Sequence, residues 1–229
     1  MYKVIAPLFL YLMFVSMPLF AQDQPLKNIE GSTSSWNKLS GEKLKALQLK
    51  GNPISGAEAF KICQGCHKNG AIGTPSGAYP RLAGQYSTVL IEQITDIRSG
   101  VRKNPKMEPY SDEHVINTQE IADIAAYLQS VPIRLNTTGV GSGNELAIGE
   151  TFYLKDCAVC HGTQGEGNAR KFIPLIAGQY YKYLLRELVY IQTEKRGNAN
   201  PDMVKVLKSY SKEDLEVVAD YVSRMPVGQ

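Results

Sequence analysis

Two five-residue runs govern what this chain can become: Cys63-Gln64-Gly65-Cys66-His67 and Cys157-Ala158-Val159-Cys160-His161. They stand 94 residues apart, and the same offset recurs elsewhere. Pro80 maps onto Pro174, Leu82 onto Ile176, and Ala83-Gly84-Gln85-Tyr86 onto Ala177-Gly178-Gln179-Tyr180. Arg102, Asn104, Tyr127 and Pro132 map onto Arg196, Asn198, Tyr221 and Pro226. One register held over this length is too long for a solenoid repeat and implies a duplicated small domain.

Cys-x-x-Cys-His is the attachment signature of c-type haem. Two thiols on one tight turn can reach the two vinyl groups at one edge of a macrocycle. The adjacent imidazole then meets the iron. Cys63, Cys66, Cys157 and Cys160 are thus the expected attachment points, and His67 and His161 the proximal ligands, of two covalently bound haem c groups. Other uses of paired cysteines fit less well. Zinc needs four converging ligands, but the pairs lie in separate repeats. A redox disulfide of the thioredoxin kind needs a strand pattern that is missing.

The sixth iron ligand must come from elsewhere. The only remaining histidine, His114, has no counterpart and reads as a loop residue. Outside the N-terminal segment the methionines are Met107, Met203 and Met225. Met107 and Met203 occupy matched Pro/Asn-rich loops, displaced by a two-residue insertion at Ala199-Asn200. These two are the expected axial sulfur ligands; Met225 reads as core or surface. A proximal imidazole also needs its outer nitrogen hydrogen-bonded. Pro80 and Pro174, each 13 residues beyond its histidine, can present a backbone carbonyl for that purpose. Asn104 and Asn198 could bond near the methionine sulfur or be solvated. Arg102 and Arg196 could face haem propionates or solvent.

Apolar spacing and caps predict an all-α fold: two tandem domains, each with three main helices. The first helix should run over about 57–66, with its counterpart over about 146–160. The second should begin near Gln85 and Gln179. The last has a capping pattern at Asn117-Thr118-Gln119-Glu120 and at Ser211-Lys212-Glu213-Asp214, and stops near Pro132 and Pro226. Residues 36–50, with Trp36, Leu39, Leu44, Leu47 and Leu49, read as an extra helix against the first domain. The division is therefore 1–21 as an export signal, 22–52 as an N-terminal extension, 53–135 and 145–229 as the domains, and 136–144 as a linker. Lys3 followed by an apolar run to Ala21 suits a signal, although Leu19 before the cleavage point and the length of the run also suit an uncleaved anchor. Outside 1–21 the chain has 24 basic and 22 acidic residues, with no clustered basic face for nucleic acid.

These motifs, with Leu82-Ala83-Gly84-Gln85, Ile176-Ala177-Gly178-Gln179 and the loop methionines, resemble the cytochrome c4 family over about 53–229. The resemblance implies two cytochrome c folds in a pseudo-twofold pair and His/Met iron in both. It implies a periplasmic electron carrier rather than an enzyme, with peripheral membrane association also compatible. Partners would be a quinol-oxidising complex, a periplasmic dehydrogenase or a terminal oxidase. The alternatives are an electron-transfer subunit of a dehydrogenase or oxidase complex, or a dihaem peroxidase. The long stretch 22–52 departs from the family pattern.

Overall fold

The computed structural model describes residues 36–134 and 138–227. Residues 1–35, and with them the expected export signal, and residues 135–137 at the expected linker lie outside the described residues. Helices make up the described part; the only β-pairing among those residues is an isolated bridge between Asn168 and Ile173.

Each half is built on a helix crossing. In the first, α2 (Pro53–Ala59) runs into a 3-10 turn (Phe60–Cys63) and then α3 (Gln64–His67). The Asn52 side chain caps α2 by accepting from the amides of Ile54 and Ser55, so the helix starts four residues before the expected 57. Later come α4 (Ser87–Arg98), α5 (Glu108–Ser111) and α6 (Thr118–Ser130). In the second half, α7 (Leu146–Phe152), a π-turn (Tyr153–Cys157) and α8 (Ala158–His161) repeat the first segment. Then follow α9 (Tyr181–Gln192), α10 (Pro201–Leu207) and α11 (Lys212–Arg224). Both expected capping boxes form, at Asn117/Glu120 and Ser211/Asp214.

α2 crosses α6, and α7 crosses α11, at glycine. A Cβ on Gly56 would lie 1.9 Å from the Asp123 carbonyl oxygen, and one on Gly149 would lie 2.3 Å from that of Val217. Only a residue without a side chain lets the backbones meet this closely. Beside each crossing an aromatic pair fills the core: Phe60 with Tyr127 at 5.6 Å and Tyr153 with Tyr221 at 5.8 Å between ring centroids. Phe60 and Tyr153 are fully buried.

The extra helix is present as α1 (Gly41–Gln48). Ala46 and Leu47 bury against the first core together with Leu39. Charge fastens it as well: Lys43 pairs with Asp96 of α4 at 2.6 Å, and Glu42 pairs with Arg98 and accepts from the Thr118 hydroxyl. Among the described residues the second half shows no equivalent helix.

The halves meet across a polar seam. Gln93 and Glu187, equivalent in the repeat, face Arg102 and Arg196, also equivalent. Arg102 donates to Gln93 at 2.8 Å and Glu187 at 3.0 Å; Arg196 donates to Glu187 at 2.9 Å and Gln93 at 3.0 Å. Thus the two arginines serve the interface, and neither faces solvent. Asn198, buried, donates to Gln93 and to Asp96. No polar side-chain atom buried among the described residues lacks a partner.

Candidate haem sites

The turns at 63–67 and 157–161 bring each motif together in the manner haem attachment requires. No two of the four cysteines are joined in a disulfide, and each pair lies on one helical turn with its histidine as the last helical residue. Burial raises the Cys63 thiol to about 11, with Cys66 adding to the effect; burial also raises Cys157 to about 11, with Asp156 and Cys160 adding. Both histidines are buried. Burial holds each imidazole below the usual histidine range, against the opposing pull of a proline carbonyl. That is the neutral form a metal ligand needs.

The proline carbonyls lie at the outer ring nitrogens. His67 Nδ1 stands 3.2 Å from Pro80 O, and His161 Nδ1 stands 3.3 Å from Pro174 O. A carbonyl only accepts, so Nδ1 carries the proton and Nε2 keeps its lone pair for iron. Gly73 and Gly167 bring each proline loop under its histidine. Their amides donate to the carbonyl oxygens of His67 and His161 at 2.9 and 2.8 Å. Both have φ near +70°, and a Cβ would sit 2.5 Å from Pro80 O or 2.4 Å from Pro174 O. Sequence reasoning passed over this pair, although the 94-residue offset relates them. The donor set, an aligned pair of thiols with an oriented neutral imidazole, fits a covalently held haem. The two cysteine pairs stay in separate halves, and among the described residues no three His, Cys, Asp or Glu side chains converge on a bare ion.

The methionines occupy different local structures. Met107 is half-buried at the N-terminal cap of α5, in a loop as expected. Its neighbour Lys106 lies over the Tyr79 ring at 5.9 Å, and that ring lies 6.1 Å from the His67 imidazole. Those contacts tie the Met107 loop to the His67 side of the first site. Met203, expected in a loop, lies within helix α10, because Asn200 caps the helix and Pro201 begins it. Met203 packs with Ile191, Leu207 and Leu215. Tyr210 joins this cluster to the attachment turn by donating to Asp156 at 2.6 Å, next to Cys157. His114 is exposed. Met225 is buried in the second core. Asn198 is committed to the interface and not to a methionine.

A family model described as Cytochrome c matches residues 54–132 and 146–226. The chain is 31% identical over 180 residues to the thiosulfate dehydrogenase electron acceptor of Stutzerimonas stutzeri strain A1501, covering 75% of this chain and 81% of that protein. It is 27% identical over 192 residues to cytochrome c4 of Azotobacter vinelandii, covering 75% of this chain and 88% of that one. The crystal structure of reduced recombinant cytochrome c4 from Pseudomonas stutzeri matches with a TM-score of 0.68 at 25% identity, over 77% of this chain and 100% of the other. With its duplicated attachment turns and matching fold, the chain belongs to the cytochrome c family, as a dihaem electron-transfer protein of the cytochrome c4 kind that carries two covalently bound haem c groups.

Proposed function

We propose that Cys63, Cys66, His67 and Met107 hold one haem and Cys157, Cys160, His161 and Met203 the other, and that the protein shuttles electrons in the periplasm. The repeated His–proline carbonyl pair carries this reading, because it prepares an imidazole for iron in both halves. The haem supplies the one-electron chemistry. The chain's part is to orient the imidazoles, exclude water and, through methionine, favour the reduced state over bis-histidine ligation. Met107→Ala and Met203→Ala should each remove about half of the weak red-end absorption band given by methionine–iron bonding. An unchanged spectrum in either variant refutes that ligand.

The electron donor under this reading is a quinol-oxidising complex or a periplasmic dehydrogenase, and the acceptor a terminal oxidase. The 31% identity to a protein named as an electron acceptor for thiosulfate dehydrogenase favours a dehydrogenase as donor. A periplasmic dehydrogenase that reduces the purified protein within one turnover supports this; reduction only by a quinol-oxidising complex reverses it.

The first half receives an acidic partner. Lys68, Lys103 and Lys106 are exposed beside the His67 turn and in the Met107 loop. The equivalent positions in the second half hold Gly162, Gly197 and Asp202. Lys68 also keeps φ +68°, ψ 164°, a geometry suited to glycine, and Gly162 adopts nearly the same angles. A lysine retained in such a conformation points to a use for its charge.

A further inference from the structure

The peptide groups behind the two histidines are hydrogen-bonded at both poles, and the outer pole belongs to the opposite half. Pro80 O accepts from His67 Nδ1 at 3.2 Å. The N–H of the same peptide group, on Arg81, donates to Gln179 Oε1 at 3.0 Å. Gln179 Nε2 returns a bond to Arg81 O at 2.9 Å. The second half repeats every link. Pro174 O accepts from His161 at 3.3 Å, the Leu175 N–H donates to Gln85 Oε1 at 3.0 Å, and Gln85 Nε2 donates to Leu175 O at 2.9 Å. Each glutamine oxygen also accepts from the amide of the next residue, Tyr86 or Tyr180, at 3.1 Å, which stops the side chain from rotating away.

We infer that Gln179 tunes the haem of the first half and Gln85 the haem of the second, each acting through one peptide group as a positioning residue on the far side of the domain boundary. This rests on His67 and His161 being the proximal ligands. The physics is cooperative polarisation. An acceptor on the peptide N–H makes the carbonyl oxygen at its other pole more negative, and chains of hydrogen bonds reinforce one another. A stronger acceptor draws the Nδ1 proton outward and makes the imidazole a better donor to iron. That favours the oxidised state. Removing the glutamine should therefore raise the potential of the haem in the other half.

The two braces are unequal. The guanidinium of Arg81 donates to Ala177 O at 2.8 Å and Gly178 O at 2.7 Å, whereas its counterpart Leu175 has nothing to offer. Burial lowers Arg81 to about 10, which leaves it charged at neutral pH. The peptide behind His67 is thus anchored twice over and that behind His161 once.

The test is a redox titration of the full-length holoprotein, followed by visible spectroscopy. Met107→His lowers one of the two potentials and so assigns it to the first haem. Gln179→Leu should then raise the first haem's potential, shifting its oxidised-to-reduced ratio roughly threefold, with the second unmoved. Gln85→Leu should do the reverse. Thr88→Val removes a neutral cross-boundary bond, Thr88 Oγ1 to Ala169 O at 2.7 Å, without touching either peptide, and controls for simple loosening. Crossed shifts with a silent Thr88→Val support the inference. Shifts confined to the glutamine's own half, equal shifts at both haems, or none overturn it. A failed proximal-ligand assignment shows separately, as His67→Ala and His161→Ala leaving the haem spectrum and both potentials in place.

Discussion

At the scale of single residues the sites depend on two glycines as much as on the ligands. Gly73 and Gly167 combine a left-handed backbone with contact against a proline carbonyl, so a side chain has neither a favoured conformation nor space. Gly73→Ala should cost about 2 kcal/mol or more in thermal unfolding, and should shift the first haem's spectrum as the Pro80 carbonyl is pushed off His67. Gly167→Ala should do the same to the second. The attachment cysteines, the histidines and the prolines could be read from the sequence because their chemistry needs fixed short spacings. The glycines and Gln85/Gln179 could not be assigned a role that way. Their partners lie across a loop or in the other half, and only the shared offset marks them.

Elements were legible where the signal is local. The capping boxes at Asn117 and Ser211 form as expected, because a side chain and an amide three residues apart need nothing from the rest of the fold. Helix α10 was missed: its Asn-Pro start reads equally as a loop until Asn200 caps it. Of the two surroundings expected for Arg102 and Arg196, solvent is not the one found, because both donate across the domain boundary and domain pairing leaves no local trace in the sequence. Helix α4 carries a pH consequence. Glu92 is buried there beside Asp96; burial and then that neighbour raise its carboxyl to about 7, against Lys43, the Gln93 amide and Arg196. A carboxyl raised on folding is bound to a proton more tightly in the native state, so stability falls as pH rises from about 4.5 through 7. Glu92→Gln should flatten that slope and stabilise the protein at pH 8 by on the order of 2 kcal/mol, read from denaturant unfolding at several pH values.

Over the whole molecule the duplicated halves have diverged in charge. Residues 36–134 carry twelve basic and nine acidic side chains, and residues 138–227 carry eleven of each. Lys68→Gly should test what that excess is for. It relieves a strained backbone and so should raise the melting temperature, by an amount equivalent to about 1 kcal/mol. It should also slow electron exchange with an acidic partner and weaken the salt dependence of that rate. A stabilised variant with unchanged kinetics would free Lys68 of any docking role.

The seam through Gln93 and Glu187 shows what joining two copies into one polypeptide permits. In a homodimer every substitution on the symmetry axis appears twice, so a glutamate there would confront its own image and a glutamine would leave two arginines without a carboxylate. Fusion lifts that constraint. One copy keeps the anion, which Arg196, Arg102 and Arg186 hold below the usual carboxylate range despite its burial, and the other supplies a neutral acceptor for both arginines. Two copies in one chain can therefore be tuned independently at their two redox centres while the paired arginines keep the interface between them.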